Sequence, residues 1–308
     1  MRRRREPVLP PARLDPRLVQ ERLDDLAVLA GQARAQQIAM RGVEQLHEAE
    51  FKVFSQFGDD GIVEYLVARI GVPRESERFV EIGVEDYREA NTRFLLVNRN
   101  WSGLVVDSGD AHVRALGESS RMWCRDVRPV TAFVEPENVN ELLRKHGFER
   151  DLGLLSIDVD GCDYWVWEAV EAKPPIVVVE YNSLFGARRA VTIPYEAGFD
   201  RTRAHSSNLY FGASLGALAL LAERKGYRLA GSNSTGNNAY LVRAGVAEGL
   251  PQPTVVEAYV ESRLRESRDE AGSLTYLGGR DRVAAIAHLP LWDLEREELV
   301  TVGDSAGA

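Results

Sequence analysis

Four short apolar runs near the centre of the chain, separated by segments with helical periodicity, constrain the fold most strongly. The runs are Arg78–Ile82, Gly103–Asp107, Leu152–Asp158 and Ile176–Glu180. Helical patterns fall at Gly61–Ile70, Asn91–Asn98, Asn138–His146, Tyr164–Val170 and, further on, Leu215–Lys225. Alternation of this kind predicts a parallel sheet with helices on both faces.

Two further apolar runs, Tyr227–Ala230 and Ala239–Arg243, predict a different connection. Only Gly231–Asn238 separates them, and this turn-forming loop is too short for a helical crossover. The two strands should therefore pair antiparallel. The predicted fold class is α/β and Rossmann-like, with a mostly parallel sheet that ends in an antiparallel hairpin.

The segment that precedes this region predicts an N-terminal helical extension. Between Asp15 and Glu50 the chain is rich in Ala, Leu, Arg, Glu and Gln. Its apolar residues recur at helical spacing, at Leu18, Leu23, Leu26, Leu29 and Ala30. We expect this stripe to pack on the main domain, or on a second subunit as a homodimer or with another partner. A lid over the substrate is the alternative.

The composition divides the chain into three parts. Residues 1–50 form an N-terminal tail and helical extension, residues 51–245 the Rossmann-like domain, and residues 246–308 a C-terminal helical extension with a disordered tail. Within the last part we expect a helix over Thr254–Arg265 and disorder over Gly303–Ala308.

The charge balance excludes some classes of partner. The 308 residues include 38 Lys and Arg against 47 Asp and Glu, a net charge of −9. Nucleic-acid binders need a concentrated basic face, and the one basic run, Arg2–Arg5, is expected to be a solvated tail. We expect a small-molecule substrate and no nucleic acid.

Cysteine usage and hydropathy predict the compartment. The two cysteines, Cys124 and Cys162, show no CxxC spacing, so neither a disulfide framework nor a thiolate zinc site is indicated. No window approaches the roughly 20 apolar residues of a membrane span. The Pro-rich segment Glu6–Pro11 is also unlike the apolar core of a signal peptide. We expect a cytoplasmic protein without a membrane partner.

Polar residues follow the predicted strands at the edge where such sheets bind ligands. Glu81 is placed to take the charged amino acid part of a cofactor or to cap its loop, and Gly83 allows a tight turn against a nucleoside. Asp107 ends the second strand, where a carboxylate accepts ribose hydroxyl hydrogens. Asp126 is expected near an adenine, with an exposed loop acid as the alternative. Because Gly83–Asp86 is not a GxGxxG sequence, a cofactor without a pyrophosphate is favoured.

The densest group of acids follows the third predicted strand. Asp158, Asp160 and Asp163 lie close together in sequence. Their repulsion has to be offset by a divalent cation, by backbone donors or by a cationic substrate. The alternative is structural: Asp163 caps a helix that begins at Tyr164, and the other two bind backbone amides.

Glu180 and Asn182 follow the next strand at the same edge. Together with Asp158 and Asp160 they are candidate ligands of one magnesium or calcium ion, or of one substrate amine. No histidine is adjacent, which argues against zinc. His205, in a polar segment further on, is the best histidine candidate for a general base, because an imidazole titrates near neutral pH.

Aromatic and basic side chains beyond these acids are candidate pocket walls, although core packing is the commoner role of such aromatics. Arginine would meet a substrate carboxylate or phosphate, and aromatic rings would contact the rest of the substrate. The candidates are Tyr181, Phe185, Tyr195, Tyr210, Arg188 and Arg189.

A set of motifs between Phe54 and Arg243 carries a resemblance to a known family. The motifs are Phe54-Ser-Gln-Phe-Gly-Asp-Asp-Gly61, Phe79-Val-Glu-Ile-Gly-Val-Glu-Asp86, Asn91-Thr92, Leu154-Leu-Ser-Ile-Asp-Val-Asp-Gly161, Asp163-Tyr-Trp-Val-Trp167, Val179-Glu-Tyr-Asn182, Gly212-Ala-Ser-Leu215 and Gly236-Asn-Asn-Ala239. With this set the chain resembles a bacterial group of S-adenosylmethionine-dependent methyltransferase-like proteins related to the FkbM-type enzymes.

The resemblance implies the class I methyltransferase fold and S-adenosylmethionine as cofactor. It implies that Glu81, Gly83 and Asp107 surround the cofactor, that Asp158–Asp160 lie near its methyl group, and that a loop before the first strand covers it. The expected cofactor-binding set is Gln56, Asp60, Glu81, Gly83, Asn91, Asp107, Asp126 and Asp158.

Two positions depart from the pattern of the group. Cys162 stands where a polar residue such as Asn is expected, and Asp107–Gly109 reads Asp-Ser-Gly instead of Asp-Gly-Ser.

These residues support a first hypothesis and two rivals. The first is a methyltransferase that acts on a hydroxyl or amine of a small metabolite, such as a sugar, an amino acid or a natural-product intermediate. Asp158, Asp160, Glu180 or His205 would serve as base or metal anchor. The second keeps the fold for a cyclisation or elimination at a substrate amine, without methyl transfer. The third is a non-enzymatic scaffold whose N-terminal helix binds a partner.

Overall fold

The computed structural model describes residues 15–117 and 122–306, so the run Arg2–Arg5 lies outside the described residues. The strands are β1 (Arg78–Ile82), β2 (Ser102–Asp107), β3 (Val127–Thr131), β4 (Leu154–Ile157), β5 (Ile176–Glu180), β6 (Val191–Thr192), β7 (Tyr227–Ser232), β8 (Asn238–Arg243), β9 (Pro290–Asp293) and β10 (Glu298–Thr301). The α-helices are α1 (Pro16–Arg41), α2 (Asp59–Ile70), α3 (Asp110–Gly117), α4 (Val139–His146), α5 (Asp163–Ala169), α6 (Arg201–Ala204), α7 (Leu215–Lys225), α8 (Val255–Ala258), α9 (Arg280–Ile286) and α10 (Val302–Ala306).

Seven strands of the described chain form one sheet in the order β3-β2-β1-β4-β5-β8-β7. The first five in this order are parallel, and β8 runs antiparallel to both of its neighbours. The chain moves outward from β1 to β3 and then returns to β4, so the strand order reverses between β1 and β4. The predicted Rossmann-like sheet with an antiparallel hairpin is confirmed.

The sheet is buried on both faces, as its apolar strands require. In β5, Val177 and Val179 belong to the core layer that contains Trp167, whereas Val178 belongs to the opposite layer with Ile62. This alternation is the period of two that places successive side chains on opposite faces of a strand. No helix among the described residues combines the length and the apolar run needed to cross a bilayer.

β3 is a strand that the apolar pattern does not predict. Its sequence contains Pro129, and the strand is only partly buried. A proline is tolerated there because β3 is an edge strand, where a missing N–H leaves pairing on the other side intact. Because β3 runs parallel to β2, its carboxyl end lies at the ligand-binding edge of the sheet.

A three-stranded sheet in the described C-terminal part corrects the expectation of a helical extension. β9 pairs antiparallel with β10 and with β6 from the central domain. These strands are two to four residues long and include Pro290 and Asp293, so they lack the alternation that predicts a strand.

The helix predicted over Thr254–Arg265 is limited to α8. Beyond it, the carbonyl of Val260 accepts a hydrogen bond from the Tyr181 hydroxyl (2.8 Å), and the N–H of Ser262 donates to Ser183 Oγ (3.0 Å). These tertiary bonds compete with helical ones and keep the segment from continuing α8. The segment then reaches the ligand-binding edge.

The disorder predicted over Gly303–Ala308 is wrong for residues 303–306, which belong to α10. The N–H of Gly303 donates to the carbonyl of Ala287 (2.8 Å), and the Thr301 hydroxyl donates to the Asp304 carboxylate (2.8 Å). Residues 307 and 308 lie outside the described residues.

α1 contacts the rest of the domain through small and polar residues. A Cβ added at Gly31 would lie 2.6 Å from Val53 Cγ2, and Asp24 pairs with Arg93 at 3.4 Å. Ile38, near the end of the helix, is buried.

The predicted apolar stripe of α1 lies on its outward face and does not cover the domain. The exposed fractions are 52% for Leu18, 54% for Leu23, 63% for Leu26 and 63% for Leu29. Helical spacing predicts that these residues share a face, but not which face of the helix meets the domain.

A buried carboxylate shapes the loop before α2. Asp60 Oδ2 accepts hydrogen bonds from the N–H groups of Val53 (2.7 Å), Phe54 (2.8 Å) and Ser55 (2.8 Å), and from the Ser55 hydroxyl (2.8 Å). Burial raises the pKa of Asp60 to about 6. The Asp60 side chain therefore faces its own loop and does not line the cavity. In the same loop, Gln56 is a residue that reaches the ligand-binding edge.

We expect Asp60→Ala to lower the free energy of unfolding by about 3 kcal/mol or more. Each buried donor left without an acceptor destabilises the folded state by about 1–3 kcal/mol. Asp60→Asn keeps an acceptor oxygen of the same shape and should lose less than half as much. Urea denaturation of the two variants measures this difference, and equal losses would contradict the role of the carboxylate as an acceptor.

Candidate active site

A cavity of 660 Å³ opens at the carboxyl edge of the sheet. Its volume lies within the range of about 300–1,000 Å³ typical of small-molecule sites. Residues that follow β1, β2, β3 and β4 line it, together with the segment at 264–266. Eleven carboxylate side chains and two arginines line it among the described residues, so the cavity strongly favours a cationic ligand.

Glu81 is buried near the end of β1, where it holds the start of the next segment. Its carboxylate accepts hydrogen bonds from the N–H groups of Asn91 (2.7 Å) and Thr92 (3.0 Å). The amide of Asn91 in turn donates to Ser156 Oγ (3.2 Å). The helix predicted to begin at Asn91 therefore begins at Arg93 and becomes π-helical over Leu95–Arg99.

Gly83 follows β1 with a φ of +82°. A Cβ at this position would lie 1.5 Å from the carbonyl oxygen of Asp158. Only glycine allows the loops after β1 and β4 to approach this closely. The predicted tight turn is present and lines the cavity.

Asp107 ends β2 at the cavity wall. Its Oδ2 accepts a hydrogen bond from the N–H of Glu85 (2.8 Å), and its Oδ1 accepts one from the N–H of Gly109 (2.7 Å). Oδ1 also lies 3.4 Å from His112 Nδ1, so the second lone pair of Oδ2 is the one left for a ligand hydroxyl. The Asp107 side chain is therefore fixed by backbone N–H groups and can still accept a hydrogen bond from a ligand.

Residues after β3 form the next wall of the cavity. Phe133 lines it and leaves half of its surface exposed, beside Ala132 and Val134. Asp126, expected near an adenine, precedes β3, is exposed and does not line the cavity. The parallel direction of β3 puts Asp126 at the opposite edge of the sheet, and only knowledge of this strand would have pointed to Phe133.

Asp158, Asp160 and Glu180 form a carboxylate cluster beyond β4 and β5. One oxygen of each lies within 4.8 Å of the others. Burial, reinforced by mutual repulsion, raises the pKa values of Asp158 and Glu180 well above their usual range. Repulsion between close carboxylates makes such a pair bind a proton more tightly than free carboxylates do. The pair can therefore accept a proton from a bound group.

Asp163 does not cap a helix that begins at Tyr164, because α5 begins at Asp163 itself. Its carboxylate accepts hydrogen bonds from the N–H groups of Val159 (2.8 Å) and Gly161 (3.0 Å). Burial raises the pKa of Asp163 to about 6. Its role is to fasten the loop that presents the cluster.

Arg201 supplies the positive charge that partly offsets the cluster. Its guanidinium pairs with Asp160 and, at 2.8 Å, with Glu266, and it lies 4.1 Å from the ring centroid of Phe211. Arg201 starts α6 and is distant in sequence from both Asp160 and Glu266. The sequence pattern alone does not single out Arg201.

Asp59 is a cavity-lining acid that sequence analysis does not single out. Its Oδ1 accepts hydrogen bonds from Asn233 Nδ2 (3.0 Å), from Asn238 Nδ2 (2.9 Å) and from the Tyr240 hydroxyl. The motif that contains Asp59 also contains Asp60, and the sequence does not tell which of the two faces the cavity.

Asn182, a candidate metal ligand, is not brought to the cluster. Its Oδ1 accepts the N–H of Leu184 (3.0 Å), and its Nδ2 donates to the carbonyls of Leu209 and Phe211 (both 3.0 Å). The neighbouring Tyr181 hydroxyl is bonded to the backbone, as described above. Neither side chain lines the cavity.

His205 also lies away from the cavity lining. The chain leaves α6 at His205 in an extended conformation, which places Nδ1 2.8 Å from Ser207 Oγ. Its ring centroid is 5.8 Å from that of His288. Burial, and the charge of His288, lower the pKa of His205.

The structure brings one of the predicted pocket-wall residues to the cavity. Tyr195 lines it, and its hydroxyl donates to Glu137 (2.6 Å). The Tyr210 hydroxyl donates to the carbonyl of Pro290 (2.5 Å) instead. The predicted wall residues outside the lining are Tyr181, Phe185, Tyr210, Arg188 and Arg189.

Comparison with known proteins gives structural likenesses only. No protein-family model matches the chain, and no curated protein matches its sequence. A SAM-dependent methyltransferase from Aquifex aeolicus shares 10% identity over 61% of this chain and 90% of its own, with a TM-score of 0.33. DszA carbon methyltransferase shares 13% identity over 74% of this chain and 70% of its own, with a TM-score of 0.37.

A third likeness is to a putative sarcosine dimethylglycine methyltransferase from Galdieria sulphuraria. It shares 13% identity over 64% of this chain and 75% of its own, with a TM-score of 0.30. Because all three TM-scores lie below 0.5, no cofactor or substrate is inferred from them. The FkbM-type relationship stays a prediction.

The burial of Glu81 predicts a pH dependence of stability. Burial raises its pKa from 4.5 to about 7. The folded state therefore holds the proton more tightly than the unfolded state. The stability of the wild type relative to Glu81→Gln should be greatest below pH 4.5 and should fall as the pH rises through about 7.

Denaturant unfolding between about pH 4.5 and 8 measures this difference, with Glu141→Gln, at an exposed position on α4, as the control. A flat difference for Glu81→Gln, or one that rises with pH, would contradict the raised pKa.

Proposed function

We propose that the protein is an S-adenosylmethionine-dependent methyltransferase that acts on a hydroxyl or amine of a small metabolite or natural-product intermediate. The observation that carries the proposal is a single acidic cavity at the strand-order reversal. One end of it has Asp107 and Phe133, which suit a nucleoside, and the other has the Asp158–Glu180 pair, which suits proton acceptance.

The residues present fit this cofactor. Gly83 lets the loops after β1 and β4 meet at the cavity wall, Asp107 Oδ2 offers an acceptor for a ribose hydroxyl, and Phe133 offers a half-exposed ring for a base. The cofactor carries positive charge on its sulfonium and its amino group, which matches the acidic lining. When bound, it supplies a methyl group on that sulfonium.

The chain's own residues would position and activate the acceptor. The Asp158–Glu180 pair, whose pKa values are raised by burial, takes the proton of the acceptor O–H or N–H as that atom becomes nucleophilic. Arg201 holds Asp160 and Glu266 at the cavity wall. The segment at 264–266 lines this end of the cavity beside Arg201.

We also propose that Asp158, Asp160 and Glu180 can hold a divalent cation such as magnesium. Three carboxylate oxygens within 4.8 Å of one another are a donor set that hard cations prefer. Asn182 is left out, because its amide oxygen is bonded to a backbone N–H. A bound cation would compete with Arg201 for Asp160.

A second candidate function rests on the same Asp158–Glu180 pair. Carboxyl groups with raised pKa values can remove a proton from a substrate amine in a cyclisation or elimination without a methyl donor. In that case the cavity would bind amines and not S-adenosylmethionine.

Titration calorimetry tests the cofactor assignment. We expect S-adenosylmethionine and its demethylated product to bind with micromolar Kd. Asp107→Asn should weaken binding at least tenfold, because ribose hydroxyls lose a charged acceptor worth about 1.5–3 kcal/mol. The control is Asp110→Asn, an exposed acid at the start of α3.

Unchanged affinity in Asp107→Asn, or no binding of either compound, would contradict the proposal. A repeat on metal-depleted protein with added magnesium tests the cation. A magnesium response that Asp160→Asn leaves intact would contradict the proposed ligands.

We propose that a second copy of the chain packs on the outward face of α1. This face carries five exposed apolar residues spaced alternately four and three positions apart: Val19, Leu23, Leu26, Ala30 and Ala33. This is the spacing of a helix-pairing seam. In a homodimer, the exposed leucines of α1 in one copy would pack against those of the other copy. Exposed leucines are otherwise costly to leave in water.

Light scattering during gel filtration tests the dimer. The wild type should elute with about twice the 34.3 kDa mass of one chain. Combining Leu23→Gln with Leu26→Gln should give monomers, whereas Arg34→Gln, also exposed on α1, should not. A monomeric wild type would contradict the proposal.

The two cysteines support a proposal for the cellular compartment. We propose a cytoplasmic location, supported by Cys124 and Cys162, which are not bonded to each other.

A further inference from the structure

Three acceptor oxygens near one end of the cavity have no hydrogen-bond donor among the described residues. They are Asp59 Oδ2, Asn238 Oδ1 and Glu180 Oε2. Buried polar atoms are nearly always paired, and leaving one unpaired costs about 1–3 kcal/mol. All three residues line the cavity, so a bound ligand can supply the missing donors.

The sheet places two of these acceptors side by side. Glu180 at the end of β5 and Asn238 at the start of β8 are directly paired residues. Directly paired residues on neighbouring strands project their side chains from the same face, with Cβ atoms about 4.5–5.5 Å apart. The amide oxygen of Asn238 and the Glu180 carboxylate are therefore neighbours.

The third acceptor is fixed to the second. Asn238 Nδ2 donates to Asp59 Oδ1 at 2.9 Å, which leaves the amide oxygen as the unpaired end of Asn238. Asp59 Oδ1 takes two further hydrogen bonds, from Asn233 and Tyr240. Because one oxygen of Asp59 takes every donor, the other is held without a partner. Asp59 is 1% exposed and Asn238 is 4% exposed, so neither reaches bulk water.

The chemistry of this group selects its ligand. It consists of acceptors alone, and it lies in a cavity with eleven carboxylates and two arginines among the described lining residues. An anion would be repelled, and a hydroxyl offers a single donor. A primary ammonium offers three N–H donors and a positive charge.

We propose that Asp59, Asn238 and Glu180 form an ammonium subsite that anchors the acceptor substrate. This inference rests on the proposed function for the reaction that follows binding. An ammonium whose three N–H bonds are all engaged has no lone pair, so the methylated atom is a different group of the same molecule. The substrate class is a small metabolite that carries a primary amine together with a separate acceptor group, such as a hydroxyl.

The experiment compares amines with alcohols of the same skeleton. Ethanolamine is paired with ethylene glycol, and glucosamine with glucose, and binding is followed by saturation-transfer NMR and calorimetry in the presence and absence of S-adenosylhomocysteine. We expect each amine to bind at least tenfold more tightly than its matched alcohol.

Asp59→Asn is the sharpest variant, because Oδ1 remains an oxygen for its three donors and the unpaired Oδ2 becomes an N–H donor. It should lower amine affinity at least tenfold while S-adenosylhomocysteine affinity stays unchanged. If Asp59→Asn does not fold, as judged by thermal unfolding, Asn238→Leu removes an acceptor with a side chain of similar volume. Asp110→Asn is again the control.

The outcomes separate this inference from the proposed function. Binding of S-adenosylhomocysteine with no preference of the protein for amines would overturn the ammonium subsite alone. Amine binding that depends on Asp59 without binding of S-adenosylhomocysteine would overturn the methyltransferase proposal and support the subsite. Tight binding of magnesium alone that depends on Asp59 and displaces the amines would overturn the ammonium assignment in favour of a metal.

Discussion

The concentration of carboxylates at the carboxyl edge of the sheet is the constraint on which the rest of the site depends. Ionised acids packed this closely are stable only where donors, cations or shared protons compensate them. The chain uses backbone donors and an arginine. Glu81 receives the backbone N–H groups of residues 91 and 92, Asp163 receives those of its own loop, and Arg201 pairs with Asp160.

This compensation also gives the cavity its shape. The bonds to Glu81 delay the start of the next helix, and Gly83 lets the loop after β1 lie against the loop after β4. Arg201 and Glu266 hold the two sides of the acidic end together. At the wall formed by Asp59 and Glu180, one oxygen of each carboxylate has no donor among the described residues, which favours a cationic ligand. Site geometry and ligand charge thus have one physical origin.

The parts of the fold that could be predicted are those in which local pattern and tertiary environment agree. Buried strands such as β1 and β5 are continuous apolar runs, and the loop between β7 and β8 is too short for a crossover, so both were accessible from sequence. β3 was not, because an edge strand tolerates proline and partial exposure. Without β3, the sequence pattern favours Asp126 near the adenine, where the structure has Phe133.

The same limit applies to the site. Glu81, Gly83 and Asp107 come directly after predicted strands, so their position at the edge follows from the order of elements. Asp59 and Arg201 come from helices whose contacts depend on long-range packing, which no local pattern encodes. Asn182 satisfied the positional rule, yet its side chain is consumed by neighbouring backbone groups.

The most direct measurement of the central claim is a crystal structure of the protein with S-adenosylhomocysteine. The account predicts electron density with the ribose hydroxyls on Asp107, the base against Phe133, and the sulfur directed toward the Asp158–Glu180 pair. Density for the ligand outside this cavity, or a nucleoside bound at the acidic end, would contradict it.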